Sequence, residues 1–130
     1  MANIEDVKIL VEEYQLKYRH PSLERFSFLD KYYLKTDNPE CTPLAEKNGV
    51  YVILKENSII YIGKSSSRNK GIWHRIHDHI YSSRRSRWSP EATHYIAWAV
   101  PDDSFFEASA LEEFLIFRLK DQLPVNKVGM

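Results

Sequence analysis

Apolar positions Ile4, Val7, Val11, Tyr14 and Tyr18 recur at three- and four-residue spacing, which predicts an amphipathic helix over residues 4–18. His20-Pro21 ends it, because the residue before a proline is pushed out of the helical region. Residues 22–48 are mixed: an aromatic run (Phe26, Phe28, Leu29, Tyr32, Tyr33, Leu34), then a loop rich in Asp, Asn, Thr and Pro. From Gly49 the pattern changes. Val50–Leu54 and Ile59–Ile62 are β-branched and aromatic stretches separated by Lys55-Glu56-Asn57-Ser58, which reads as a β-hairpin. A helix over 71–84, a strand over 93–100 and a helix over 105–120 follow, with Pro124 closing the last element. This order predicts an α+β fold with a small, mainly antiparallel three-stranded sheet flanked by helices. Residues 49–130 form the expected core domain, and 1–48 an N-terminal helical extension packed on or beside it.

The same patterns place polar groups. If the hairpin loop is Lys55-Glu56-Asn57, with Asn57 in the left-handed position, Leu54 faces Ser58 and Tyr51 lies opposite Tyr61. Both tyrosines then share one side, with Val50, Val52, Leu54, Ile60 and Ile62 on the other. An ordinary cross-strand aromatic pair has the same pattern. In the next helix Ile72, Trp73, Ile76 and Ile80 form the apolar stripe, Arg75 and His79 stack along one edge, and His74 and Asp78 lie farther out. His74, His77 and His79 cannot all reach one ion from one helix. In the last helix Phe105, Ala108, Leu111, Leu115, Ile116 and Leu119 define the buried face. Glu112 falls inside that face, whereas Glu113 points away alongside Lys120. A core-facing carboxylate is costly unless it meets a cation, a metal or several donors, so an ion pair with Arg75 and a ligand role both answer the need.

Composition changes the picture in two ways. A chain of 130 residues with one cysteine, Cys41, is long enough for one packed domain and has no internal disulfide framework. It has no apolar run near the roughly 18 residues of a membrane span, and its amino terminus is acidic rather than signal-like, so a cytoplasmic protein without membrane partners is expected. Net charge is zero, which on its face argues against nucleic acid. The distribution argues the other way. Residues 64–88 hold seven cations (Lys64, Arg68, Lys70, Arg75, Arg84, Arg85 and Arg87) against Asp78 alone, an excess of +6 that leaves −6 on the rest. With Trp73, Tyr81 and Trp88 interleaved, this block suits a phosphate backbone; a solvated basic helix and loop is the alternative.

Gly49-Val50-Tyr51, nine residues, then Tyr61-Ile62-Gly63-Lys64 resembles the paired motif for which the GIY-YIG nucleases are named, with Val replacing Ile in the first half. Arg75 in the following helix resembles the family's arginine, and Glu112 in Ala110-Leu111-Glu112-Glu113-Phe114 its metal-binding glutamate. Pro124-Val125-Asn126 is similar to its closing motif. Arg75 with His79 four residues on, and Lys64 directly after the second motif, resemble the restriction-enzyme branch more than excision-repair nucleases or homing enzymes. The resemblance spans residues 49–126; the 48 before it match no named pattern. No separate DNA-binding domain after the core, such as many family members carry, is expected.

The resemblance implies a metal-dependent endonuclease that hydrolyses phosphodiester bonds, with double-stranded DNA as the expected partner. It implies one Mg²⁺ (or Mn²⁺) ion per site, with Glu112 its only direct protein ligand and water and phosphate oxygens completing the shell. Tyr51 is the implied general base or water-positioning group; with a free pKa of about 10 it needs nearby cations, for which Lys64 and Arg75 are the candidates. Arg75 would also stabilise phosphate charge, Tyr61 contact phosphate or the ion's water, His79 share proton transfer, and Asn126 fix local backbone. Lys64, Arg68, Lys70, Arg84, Arg85 and Arg87 are the expected nucleic-acid contacts. A double-strand cut would need a homodimer or two successive binding events. Two other classes stay open: a catalytically silent nucleic-acid-binding module of the same fold, and a partner-binding scaffold that docks through the first helix.

Overall fold

The computed structural model describes residues 2–34, 44, 46–66, 71–81 and 91–123, with the side chains of 71–81 described as far as His77. The elements are α1 (Ile4–Lys17), β1 (Ser27–Tyr33), β2 (Gly49–Lys55), β3 (Ser58–Ser65), α2 (Ile72–Tyr81), β4 (His94–Ala99) and α3 (Glu107–Leu119), with short 3-10 turns on either side of α3. The α+β class stands as expected. The sheet has four strands rather than three, in the order β1-β4-β2-β3, and every pairing is antiparallel.

The extra strand comes from the segment expected to be a helical extension. Residues 27–33 pair with β4, but their register shifts between Leu29 and Tyr32. Two residues, Asp30 and Lys31, are spent in that irregularity, so inward and outward positions do not alternate along β1 and the strand signal is lost. The other end of the segment behaves as its periodicity predicts. Asn3 caps α1 through a reciprocal box: its Oδ1 accepts from the Asp6 N–H at 3.1 Å, and Asp6 Oδ2 accepts from the Asn3 N–H at 3.0 Å. Ile4, Val7, Leu10, Val11 and Tyr14 are buried, whereas Tyr18, expected on the buried stripe, is exposed beyond the helix end.

Each face of the sheet carries its own apolar layer. On one, α1 and α3 cover Val50, Val52, Leu54, Ile59, Ile62, Ile96 and Trp98. On the other, α2 sets Ile72, Trp73 and Ile76 against Tyr51, Ile53, Tyr95 and Ala97. β2 is central and covered on both sides, which is why Val50–Leu54 is an unbroken apolar run. One buried ion pair joins the helices of the first face. Arg19 just past α1 donates to Glu107 at the start of α3 through Nε (2.6 Å) and Nη2 (2.8 Å), while Ser104 Oγ donates to the same carboxylate at 2.6 Å. Burial pushes the Glu107 carboxyl up, but the Arg19 and Ser104 hydrogen bonds and the Arg19 charge outweigh it and hold it below the usual range. The pair has complete partners, the condition under which a buried charge is tolerated.

The β2–β3 hairpin departs from expectation in a way that matters for the site. Its turn has two residues, Glu56 and Asn57, between Lys55 and Ser58, and the left-handed residue is Glu56 (φ 58°), not Asn57. Thr93 holds that turn from outside: its Oγ1 accepts from the Glu56 N–H at 2.7 Å, and its own N–H donates to the Leu54 carbonyl at 2.8 Å. A bulge at Ile60 then shifts the register, so Ile59 and Ile62 face α1 and α3 while Ile60 and Tyr61 turn toward α2.

Candidate active site

Because of that shift, Tyr51 pairs with Gly63 and Tyr61 with Ile53, so the two tyrosines are diagonal rather than directly opposite. They still share the α2 face, with ring centroids 6.4 Å apart. Both glycines of the paired motif are required by close approach. A β-carbon at Gly63 would stand 2.5 Å from Cζ and from the hydroxyl of Tyr51, and one at Gly49 would stand 2.0 Å from the Trp98 carbonyl oxygen. Gly63 therefore lets the Tyr51 ring lie across β3, and Gly49 lets β2 enter beside β4.

β3 is an edge strand, and the remaining groups come from β3 itself and from the helices on either face of the sheet. From α2, Arg75 hydrogen-bonds Tyr51 and acts on Tyr61 and Glu112 by charge. From α3, the half-buried Glu112 acts on both tyrosines, and Lys64 of β3 acts on Glu112. Glu113, as its helical angle predicts, is exposed. Tyr51, Tyr61, Lys64, Arg75 and Glu112, from four elements on both sides of the sheet, thus form one electrostatically coupled cluster. Sequence reasoning passed over the residues that hold it. Ser66 Oγ accepts from Lys64 Nζ at 3.0 Å. The buried Ser65 hydroxyl donates to Asn48 Oδ1 at 3.1 Å, and the carbonyls of Lys47 and Asn48 accept from the N–H groups of Ile72 and Val100. Those backbone bonds tie the start of α2, and so Arg75 one turn on, to the strand that carries Tyr51.

Burial acts on the ionisable groups of the site. Burial, with the neighbouring Tyr61 and Glu112, drives the Tyr51 phenol far above its usual value, and the charge and hydrogen bond of Arg75 do not reverse this. Tyr61 is raised as well, by burial and by Glu112, against the pull of Arg75. In the protein alone both shifts favour the neutral phenols, and Arg75 is the cation that opposes them. Glu112 is likewise raised: burial outweighs Lys64 and Arg75, and Glu113 adds to it.

Among the described residues no three His, Cys, Asp or Glu side chains come together as a metal cage. A partly desolvated carboxylate whose burial its neighbouring cations do not fully offset fits a hard ion that takes its other oxygens from water and phosphate. His74 and His77 are both exposed on α2, with His77 against the edge of Trp73. The side chain of His79 lies outside the described residues, as do Arg68, Lys70, Arg84, Arg85, Arg87 and Asn126. No helix among the described residues is long and apolar enough to cross a membrane. Compared with known protein families, with curated proteins and with solved structures, the chain matches none.

Proposed function

We propose that the chain is a metal-dependent endonuclease of the GIY-YIG type, hydrolysing phosphodiester bonds in DNA. The observation that carries this reading is the convergence of Tyr51, Tyr61, Lys64, Arg75 and Glu112, three of them on strands shaped by motif glycines. Phosphodiester hydrolysis needs a carboxylate for a divalent ion, cations for the phosphate, and donors that orient the attacking water and the leaving oxygen. Glu112 would hold a Mg²⁺ or Mn²⁺ ion, which when bound supplies charge neutralisation at the phosphate and a more acidic water.

The other groups have separable tasks. Arg75 is exposed, and its charge is free to reach a phosphate while its bond to Tyr51 fixes the guanidinium. Lys64, steadied by Ser66, adds a second cation on the α3 side. Tyr61 is partly exposed and can donate to a phosphate oxygen or to water. Tyr51, almost wholly buried, orients Arg75 and a water through its hydroxyl rather than taking a proton as phenolate. Proton removal then falls to a group other than the two phenols, His79 being the sequence candidate.

The second reading is a catalytically silent nucleic-acid-binding module, and it draws on the burial of the two phenols, which works against either acting as a base. Incubating the purified chain with supercoiled plasmid decides between them. The nuclease reading expects nicking with Mg²⁺ or Mn²⁺ and none with chelator. DNA binding without metal-dependent nicking would move the assignment to the silent module, and neither binding nor nicking would favour a scaffold.

A further inference from the structure

The solvent side of α3 carries a second stripe that the catalytic face does not use. Phe106, Ala110, Glu113, Phe117 and Lys120 are all exposed and follow one another at spacings of four, three, four and three residues. Phe106 and Lys120, which flank the helix, have right-handed helical backbone, so the spacing is continuous in space. This is the period with which one helix packs along another, and it runs opposite the buried stripe of Ala108, Leu111, Leu115 and Leu119. The two phenylalanines are 63% and 61% exposed, among the most exposed large apolar side chains of the described residues. Lys120 Nζ lies 5.6 Å from the centroid of the Phe117 ring.

We infer that this face is a self-association surface, on which α3 of a second copy packs antiparallel about a two-fold axis beside Phe117. The charges select that occupant and that direction. Glu113 and Lys120 are two turns apart, and Phe117 lies at their midpoint to within one residue. In an antiparallel pair centred there, Glu113 of each copy meets Lys120 of the other, twice by symmetry, and the two Phe117 rings meet at the axis. A parallel pairing would set Glu113 against Glu113 and Lys120 against Lys120. One helix pair buries less than a standard interface, so a reversible dimer in the micromolar range is the expected strength. The stripe does not depend on the nuclease reading; with that reading it supplies the second site that cutting both strands requires.

Sedimentation velocity of the full chain over a range of concentrations tests this, with thermal melting to verify that each exposed substitution leaves the fold intact. Wild type should show a monomer–dimer equilibrium. Phe117→Asp, Glu113→Lys and Lys120→Glu should each weaken it at least about tenfold. Mixing Glu113→Lys with Lys120→Glu should restore a one-to-one dimer, because one copy then carries two lysines on the stripe and the other two glutamates. A wild type that stays monomeric at high concentration would overturn the inference. So would a dimer indifferent to Phe117→Asp, or a mixture that associates no better than its components.

Discussion

The ring of Tyr51 lies across the backbone of Gly63, so close that a β-carbon there would stand 2.5 Å from the tyrosine hydroxyl. Gly63→Ala must displace the ring, and with it the hydroxyl that holds Arg75. The expected cost is about 1–3 kcal/mol of stability, as for other overpacked interiors, together with lost nicking. Tyr51→Ala removes the obstacle, so in the double variant the alanine at position 63 should cost much less than it does alone. Denaturant unfolding of the four proteins measures the coupling; strict additivity would mean that the contact does not constrain Gly63.

Glu112→Gln should abolish metal-dependent nicking while leaving the fold and most DNA affinity intact, because it removes the carboxylate at nearly constant volume. Glu113→Gln should nick close to the wild-type rate, since a single nick needs one copy only. The raised Glu112 carboxyl adds a second readout. The folded chain binds that proton more tightly than the unfolded one, so the ionised form costs stability at neutral pH. Glu112→Gln should therefore melt higher than wild type near pH 7, with the gap closing as pH falls toward the ordinary carboxyl value of 4.5 and gone below it. A lower melting temperature at neutral pH would contradict the burial argument.

Tyr51→Phe keeps the ring and removes the orienting hydroxyl, and should lower the nicking rate about a hundredfold, the usual cost of losing one preorganised hydrogen-bonding group. A hydroxyl that orients rather than ionises leaves the shape of the pH–rate profile unchanged in the residual activity. Its raised pKa also predicts alkaline behaviour. Below pH of about 10 the phenol is protonated in both states and contributes no pH dependence. Above it the unfolded chain loses the proton first, so stability falls by up to about 1.4 kcal/mol per pH unit from this group. Chemical denaturation on both sides of that pH should show a shallower fall in Tyr51→Phe than in wild type. Full activity in that variant would remove Tyr51 from the site.

Replacing Arg84, Arg85 and Arg87 together with Ala should weaken DNA binding and flatten its salt dependence. If all three meet phosphates of duplex DNA, the slope of log K against log salt falls by up to about 2.7. Turnover at saturating DNA should stay near wild type, since the three lie in sequence beyond the proposed catalytic positions of this segment. If instead they balance acidic residues such as Glu91, Asp102 and Asp103, the variant loses melting temperature and keeps its salt slope.

Helices α1, α2 and α3 were legible from spacing alone, because a 3.6-residue period survives whatever the helix packs against. Ile4, Val7 and Val11 are buried in α1, Ile72, Trp73 and Ile76 in α2, and Leu111, Leu115 and Leu119 in α3, as their spacing requires. The opposite placements of Glu112 and Glu113 follow from the same geometry. β1 was not legible, because the bulge at Asp30 and Lys31 erases the period of two on which a strand depends. The pairing of Tyr51 was not legible either. It depends on a left-handed Glu56, a conformation the residue type does not favour, held by Thr93 from 37 positions away.

The order of residues determined which side chains face together within each helix, where charge accumulates, and which short segments carry the paired motif. These are local properties, set by the repeat of a helix or strand and by residue identity. Only the tertiary structure decided that Gly63 lies under the Tyr51 ring and that Arg19 meets Glu107 across 88 residues of chain. It decided the direction of the Tyr51 shift as well. A guanidinium beside a phenol by itself lowers its pKa; here burial between α2 and the sheet raises it, because desolvation costs a charge more than one guanidinium returns.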